Sequence, residues 1–242
     1  SQRGNGDYLT VMVGAINIST KVGDGSYSAY MFGSFNVSTW VGNGWERVVM
    51  FSSGNIHTSV NSEGAYSEYY MAGFGNVVTK VGDGDVNGIF AGGVGNVLTV
   101  TGDGGLSAVF LGAGNIVTKV GDGNVNLLMA SAFNVVTKIG DGDFNALMVG
   151  QANVVIRAGN GEAVFAMVAV PVLDFVAANT PTANIYVHHG NGNSIGVMVA
   201  VSQNSLNGNI QVKIGDGDLA NIMVGVDTSQ VAPFLSSSNA AA

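Results

Sequence analysis

A methionine recurs at one fixed place in a repeat about nineteen residues long, and this period constrains the fold more than anything else in the chain. All nine methionines share the column: Met12, Met31, Met50, Met71, Met129, Met148, Met167, Met198 and Met223, with Phe90 and Phe110 filling two further places. Five residues after most of them stands an asparagine, and seven residues later the centre of a Gly-Asp/Asn-Gly turn, as in NVVTKVGDGDFNALMVGQA from Asn134 to Ala152. So short a unit cannot bury an apolar face alone and must stack on its neighbours. The expected fold is all-β: a repeat solenoid of β-roll or β-helix type, with about ten coils and two strands per coil. Residues 1–225 form one domain, with insertions near 170–183 and 201–208, and residues 226–242 form a tail.

The asparagines, Asn17, Asn36, Asn55, Asn76, Asn96, Asn115, Asn134, Asn153, Asn184 and Asn209, mark the coils and are expected to form a stacked amide ladder inside the second corner. Each opens a run of Val or Ile, a variable residue, then threonine at 20, 39, 58, 79, 99, 118 and 137, then often Lys, then usually Val or Ile. With period two, the Val, Thr and Val columns are predicted to face inward and the variable and Lys columns outward. A glycine-flanked Asp or Asn then reverses the chain, because glycine reaches the positive φ values of such turns. The coil at residues 61–64 lacks this motif.

The strand leading to each methionine is apolar on both faces, as in FNALMVG from Phe144 to Gly150. A single coil has only one interior, so one of these faces looks outward. Stacked at about 4.8 Å, the strands make a sheet on the order of 50 Å long. Soluble monomers rarely leave so large an apolar patch uncovered. The methionine and phenylalanine column is taken as the association surface, since a flexible thioether adapts to an imperfect partner. The alternative makes that column the core and its Val/Leu neighbours the surface.

Little in the sequence points to catalysis or a cofactor. Asp-Gly-Asp pairs at Asp83/Asp85, Asp141/Asp143 and Asp216/Asp218 offer hard oxygen ligands for Ca²⁺, against the plainer reading of turns that cap their own backbone. Lys21, Lys80, Lys119, Lys138, Arg157 and Lys213 share one column, read as an outward stripe that balances the aspartates or meets anionic headgroups. No acid is expected to orient His57, His188 or His189, so no enzyme is expected and no small-molecule substrate. The net charge of −8 disfavours a nucleic-acid partner. Without cysteine there are no disulfides, and without a run of eighteen apolar residues no spanning helix is expected. An ice-binding face would need an outward threonine ladder, and the inward assignment of the threonines speaks against one. The opening SQRGNGDY, without an initiator methionine or an apolar leader, reads as that of a processed product or an excised fragment.

The units GFGNVVTKVGDG (residues 73–84), GAGNIVTKVGDG (residues 112–123) and SAFNVVTKIGDG (residues 131–142) resemble the glycine-rich repeats of the multifunctional-autoprocessing RTX toxins. The resemblance covers Gly4 to about Gly161 well and Asn184 to Gly225 more loosely, and the calcium-binding nonapeptide of ordinary RTX proteins is not reproduced. It implies a protein secreted by a bacterium, extracellular, with a non-catalytic segment that engages a target membrane. The rival expectation is a structural subunit of a self-assembling extracellular fibre or surface layer. In either case a homo-oligomer or polymer is expected, with a membrane surface as a candidate partner.

Overall fold

The computed structural model describes residues 1–61, 66–171, 181–202 and 206–227, and its regular elements are all β-strands. Every strand pairs in parallel with the strand one coil on, giving a β-solenoid of about nineteen residues per turn. In the first coils the chain runs as single long strands, Tyr8–Val22, Tyr27–Val41, Glu46–Val60, Ser67–Val81 and Val86–Thr101. From Leu106 each long strand divides into a pair, such as Phe144–Gly150 followed by Ala152–Ala158. The Gly-Asp-Gly turn forms one corner of the coil, and the bend just before the asparagine forms the other. Two stacks of parallel strands therefore face each other across a thin interior.

Register is kept from coil to coil apart from a bulge between Gly73 and Gly75, where the next coil carries one extra residue. Met129, Met148, Met167 and Met198 are successive partners, as are Asn134, Asn153, Asn184 and Asn209. Both insertions leave at the bend before the asparagine and return in register, so Asn153 still meets Asn184 across a gap of 31 positions. Most of the first insertion (172–180), residues 203–205 of the second, residues 62–65 of the irregular coil and the tail from 228 lie outside the described residues. The last strand, Leu219–Asp227, runs two residues past the expected end of the repeat.

The first corner needs glycine for two reasons. Gly140 has φ +119°, which disfavours a side chain, and a Cβ there would also run into the Gly121 carbonyl oxygen of the coil before it. The turns stack backbone on backbone, so coil spacing and turn residue are one constraint.

The faces of the first strand are the reverse of those expected. Counted from the asparagine, every second residue is buried: the asparagine itself, the variable position and the Lys position, as in Asn134, Val136 and Lys138. The Val/Ile and Thr columns face solvent, with Ile116 and Ile139 about half exposed. The asparagine fixes this parity, because its amide can be satisfied only inside the corner, and strand alternation then carries the lysine inward with it. Hydrophobicity alone gave the opposite answer, since a β-branched column looks like core.

Candidate functional site

Taking the interior first, the asparagines form a continuous ladder. Each side-chain amide donates to the side-chain oxygen of the next coil, from Asn17 to Asn36 at 2.9 Å through to Asn184 and Asn209 at 2.8 Å. Most also donate to a carbonyl of the facing strand, as Asn153 does to Val168 at 3.1 Å. The ladder satisfies amides that are buried inside the corner, out of reach of water.

The basic column is interior, correcting its assignment to a surface stripe. Lys21, Lys80, Lys119, Lys138 and Arg157 are all buried, while Lys213, in the last coil, is only partly covered. Their head groups clamp the turns from within: Lys138 Nζ donates to Gly140 O at 2.7 Å and Asp141 O at 2.9 Å, and Arg157 Nη2 to Gly142 O at 2.8 Å. Lys119 likewise donates to Gly102 O and Asp122 O. Burial, with Arg157 and Lys119 adjacent, pushes the Lys138 ammonium down to about 8, while Asp122 and Asp141 pull the other way. Burial also lowers the pKa of Lys21, Lys80 and Lys119, with turn aspartates opposing it. The aspartate file thus supplies the counter-charge for cations held inside the coil.

The turn carboxylates form ladders of their own. Asp83 Oδ1 accepts the Asp103 N–H at 2.8 Å, Asp85 Oδ1 that of Gly105 at 2.7 Å, Asp141 Oδ1 that of Asn160 at 2.7 Å and Asp143 Oδ1 that of Glu162 at 3.0 Å. Asp216 and Asp218, in the last turn, donate their amides to Asn191 and Asn193. Only an acceptor oxygen is required, which explains why Asn replaces Asp freely at these positions. Among the described residues no group of three or more His, Asp or Glu gathers in a metal-binding arrangement.

One histidine does have an acid beside it, correcting the sequence reading. His57 Nε2 lies 2.6 Å from Glu46 Oε1, both fully buried, and Tyr69 donates its hydroxyl to Glu46 Oε2 at 2.9 Å. Burial and then the Glu46 charge raise the Tyr69 hydroxyl well above its usual pKa. The cluster is sealed inside the coil, so it is a structural contact rather than a site open to substrate. Glu46 and His57 occupy facing inward columns, and parity counted from Asn55 would have paired them. His188 is also buried and contacts Gly159 O and Ser194 Oγ, whereas His189 faces out.

The methionine column is core, and its assignment as the association surface is corrected. From Met31 to Met198 the methionines, with Phe90 and Phe110, are buried, Met12 is half covered and Met223 is exposed only in the last coil. The methionines belong to one core cluster with the buried variable column, Val78, Val117, Val136 and Val155 among it, where an unbranched thioether adapts to neighbours that change from coil to coil. Two neighbouring columns take the outward role: Val11, Tyr30, Val49, Tyr70, Ile89, Val109, Leu128, Leu147, Ala166, Val197 and Ile222 form one of them. The other, from Val13, Phe32 and Phe51 to Val199 and Val224, is equally free of charge. An open groove of about 840 Å³ crosses this sheet, lined by Tyr70, Ile89, Leu128, Leu147, Val164 and Ile195 among others. The opposite sheet presents the Val/Ile columns flanking the seven threonines, which hold register from Thr20 to Thr137. Their outward position reverses the geometric objection to an ice-binding face.

Comparison of the chain with protein families, curated proteins and solved structures finds no match.

Proposed function

We propose that the chain is a secreted, non-enzymatic solenoid module that works by association through its outward apolar columns, as a membrane-engaging repeat region of a large RTX-type toxin would. The observation that carries this reading is the pair of uncharged columns beside the methionines, with Leu147 44% and Leu128 41% exposed in mid-sheet. An apolar face of this extent normally has a partner. Vesicle flotation of the purified chain, alongside electron microscopy, tests it. Binding or defined oligomers support association, and a monomer indifferent to both lipid and concentration refutes it.

Two other readings each have an observation behind them. Apolar columns on both outer sheets would let copies stack laterally, as in a fibre or surface layer, and ordered polymers without lipid binding would favour that rival. The outward threonine file satisfies the geometry of an ice-binding face, and thermal hysteresis of the purified chain decides that case.

A further inference from the structure

The two outer sheets differ in what drying them would cost. On the threonine sheet no hydrogen bond joins the hydroxyls of Thr20, Thr39, Thr58, Thr79, Thr99, Thr118 or Thr137 to other described residues, so water must satisfy them. Burying that file against an apolar partner would strand a hydroxyl in each of these seven coils. On the opposite sheet the polar side chains at the edge already satisfy one another. Asn145 donates to Asn126 Oδ1 at 2.9 Å, Asn126 to Ser107 Oγ at 3.4 Å, Asn87 to the Tyr66 hydroxyl at 2.8 Å, and Arg47 pairs with Glu68 at 2.6 Å. The sheet beside the methionines is therefore the one that can be covered at little polar cost.

Resting on the association reading above, we propose that this sheet is covered by a second copy of the same chain, packed face to face. Area favours it. Eleven strands at about 4.8 Å, each presenting about five residues at roughly 3.3 Å, give a face on the order of 850 Å². A standard stable interface buries about 800 Å² per partner. Shape favours it as well: Phe32 and Phe51, stacked at 5.5 Å, stand out near one end, while the groove lies across the later coils. A two-fold axis relating antiparallel solenoids sets the bulky end of each copy over the groove of the other, the self-complementarity an isologous dimer requires. Charge argues against an anionic bilayer as the occupant. Five of the eight basic side chains are locked inside the coil, Arg47 is paired with Glu68, and the net charge is −8. The same net charge predicts that added salt strengthens the dimer by screening repulsion between copies.

Sedimentation of the full chain tests the proposal. The wild type is expected to be dimeric at about 10 µM, and Leu147→Asp to weaken the dimer by about 100-fold or more, while Thr118→Asp on the opposite sheet leaves it unchanged. If Leu147→Asp misfolds by circular dichroism, disulfide capture replaces it, since the chain has no native cysteine. The F51C/L147C variant should then form covalent dimers on mild oxidation, and T79C/T118C should not. A wild type monomeric at about 100 µM, or a dimer broken by Thr118→Asp and not by Leu147→Asp, overturns the proposal. A monomer that floats with neutral phosphatidylcholine vesicles and loses this with Leu147→Asp overturns the second copy while leaving the association reading intact. A monomer that does neither overturns both.

Discussion

Replacing Asn153 by alanine measures what the interior amide ladder contributes. Asn153 accepts from Asn134 at 2.8 Å and donates to Asn184 Oδ1 at 2.8 Å and to Val168 O at 3.1 Å, all in a corner closed to solvent. Three hydrogen bonds at about 1 kcal/mol net, plus about 1–2 kcal/mol for amide groups left unpaired out of reach of water, give a loss of about 4–5 kcal/mol. Asn209 is the control. It accepts from Asn184 at 2.8 Å and donates to Val224 O at 2.9 Å and Met198 O at 3.2 Å, again three bonds, but it is partly exposed in the last coil, so water can replace what alanine removes. Its loss should be about 1 kcal/mol. Urea unfolding followed by far-UV circular dichroism gives both values. Amide exchange on the same samples shows whether unfolding stays concerted, since stacked repeats can open in parts. Equal costs for the two variants, or a cost below about 1 kcal/mol for Asn153→Ala, would show that the ladder is a by-product of register and not a source of stability.

Further outcomes follow from the clamp, the turn and the buried pair. The Lys138 ammonium titrates near 8 when folded and near 10.5 when unfolded, so the unfolded chain binds more protons between those values and stability rises with pH across that window. Above pH 10 the Tyr27 hydroxyl, raised to about 12 chiefly by burial, reverses the trend, because the folded state then holds the extra proton. Lys138→Met should flatten the rise in melting temperature between pH 8 and 10, and an unchanged slope would contradict the assigned burial. Gly140→Ala combines a disfavoured φ with a collision against the Gly121 carbonyl and should cost at least about 2 kcal/mol in chemical denaturation. Glu46→Ala leaves the buried Tyr69 hydroxyl without its carboxylate acceptor and His57 without its close neighbour, and should cost about 1–3 kcal/mol, while E46L/H57L should recover most of that loss. If the double variant is as unstable as the single one, the loss comes from packing and not from polar groups left unpaired.

Periodicity alone determined the coil length, the two strands per coil, the glycine corners, the asparagine ladder and where the two insertions interrupt the repeat. All of these depend on which residues recur, and recurrence is visible in one dimension. The direction each column faces was decided by the tertiary structure. Val135, Thr137 and Ile139 look like core by composition, and Lys138 looks like surface, yet their positions are exchanged. A lysine becomes an interior residue only when a neighbouring turn brings Gly140 O and Asp141 O to its ammonium, and no local pattern encodes that. For Glu46 and His57 the parity of Asn55 carries the inward direction, and the facing of the two runs sets the 2.6 Å contact. An amide that must be satisfied inside a corner outranks hydrophobicity in fixing strand parity, because an unpaired buried amide costs more than an exposed valine. The methionines consequently turn inward, and the apolar columns beside them become the surface.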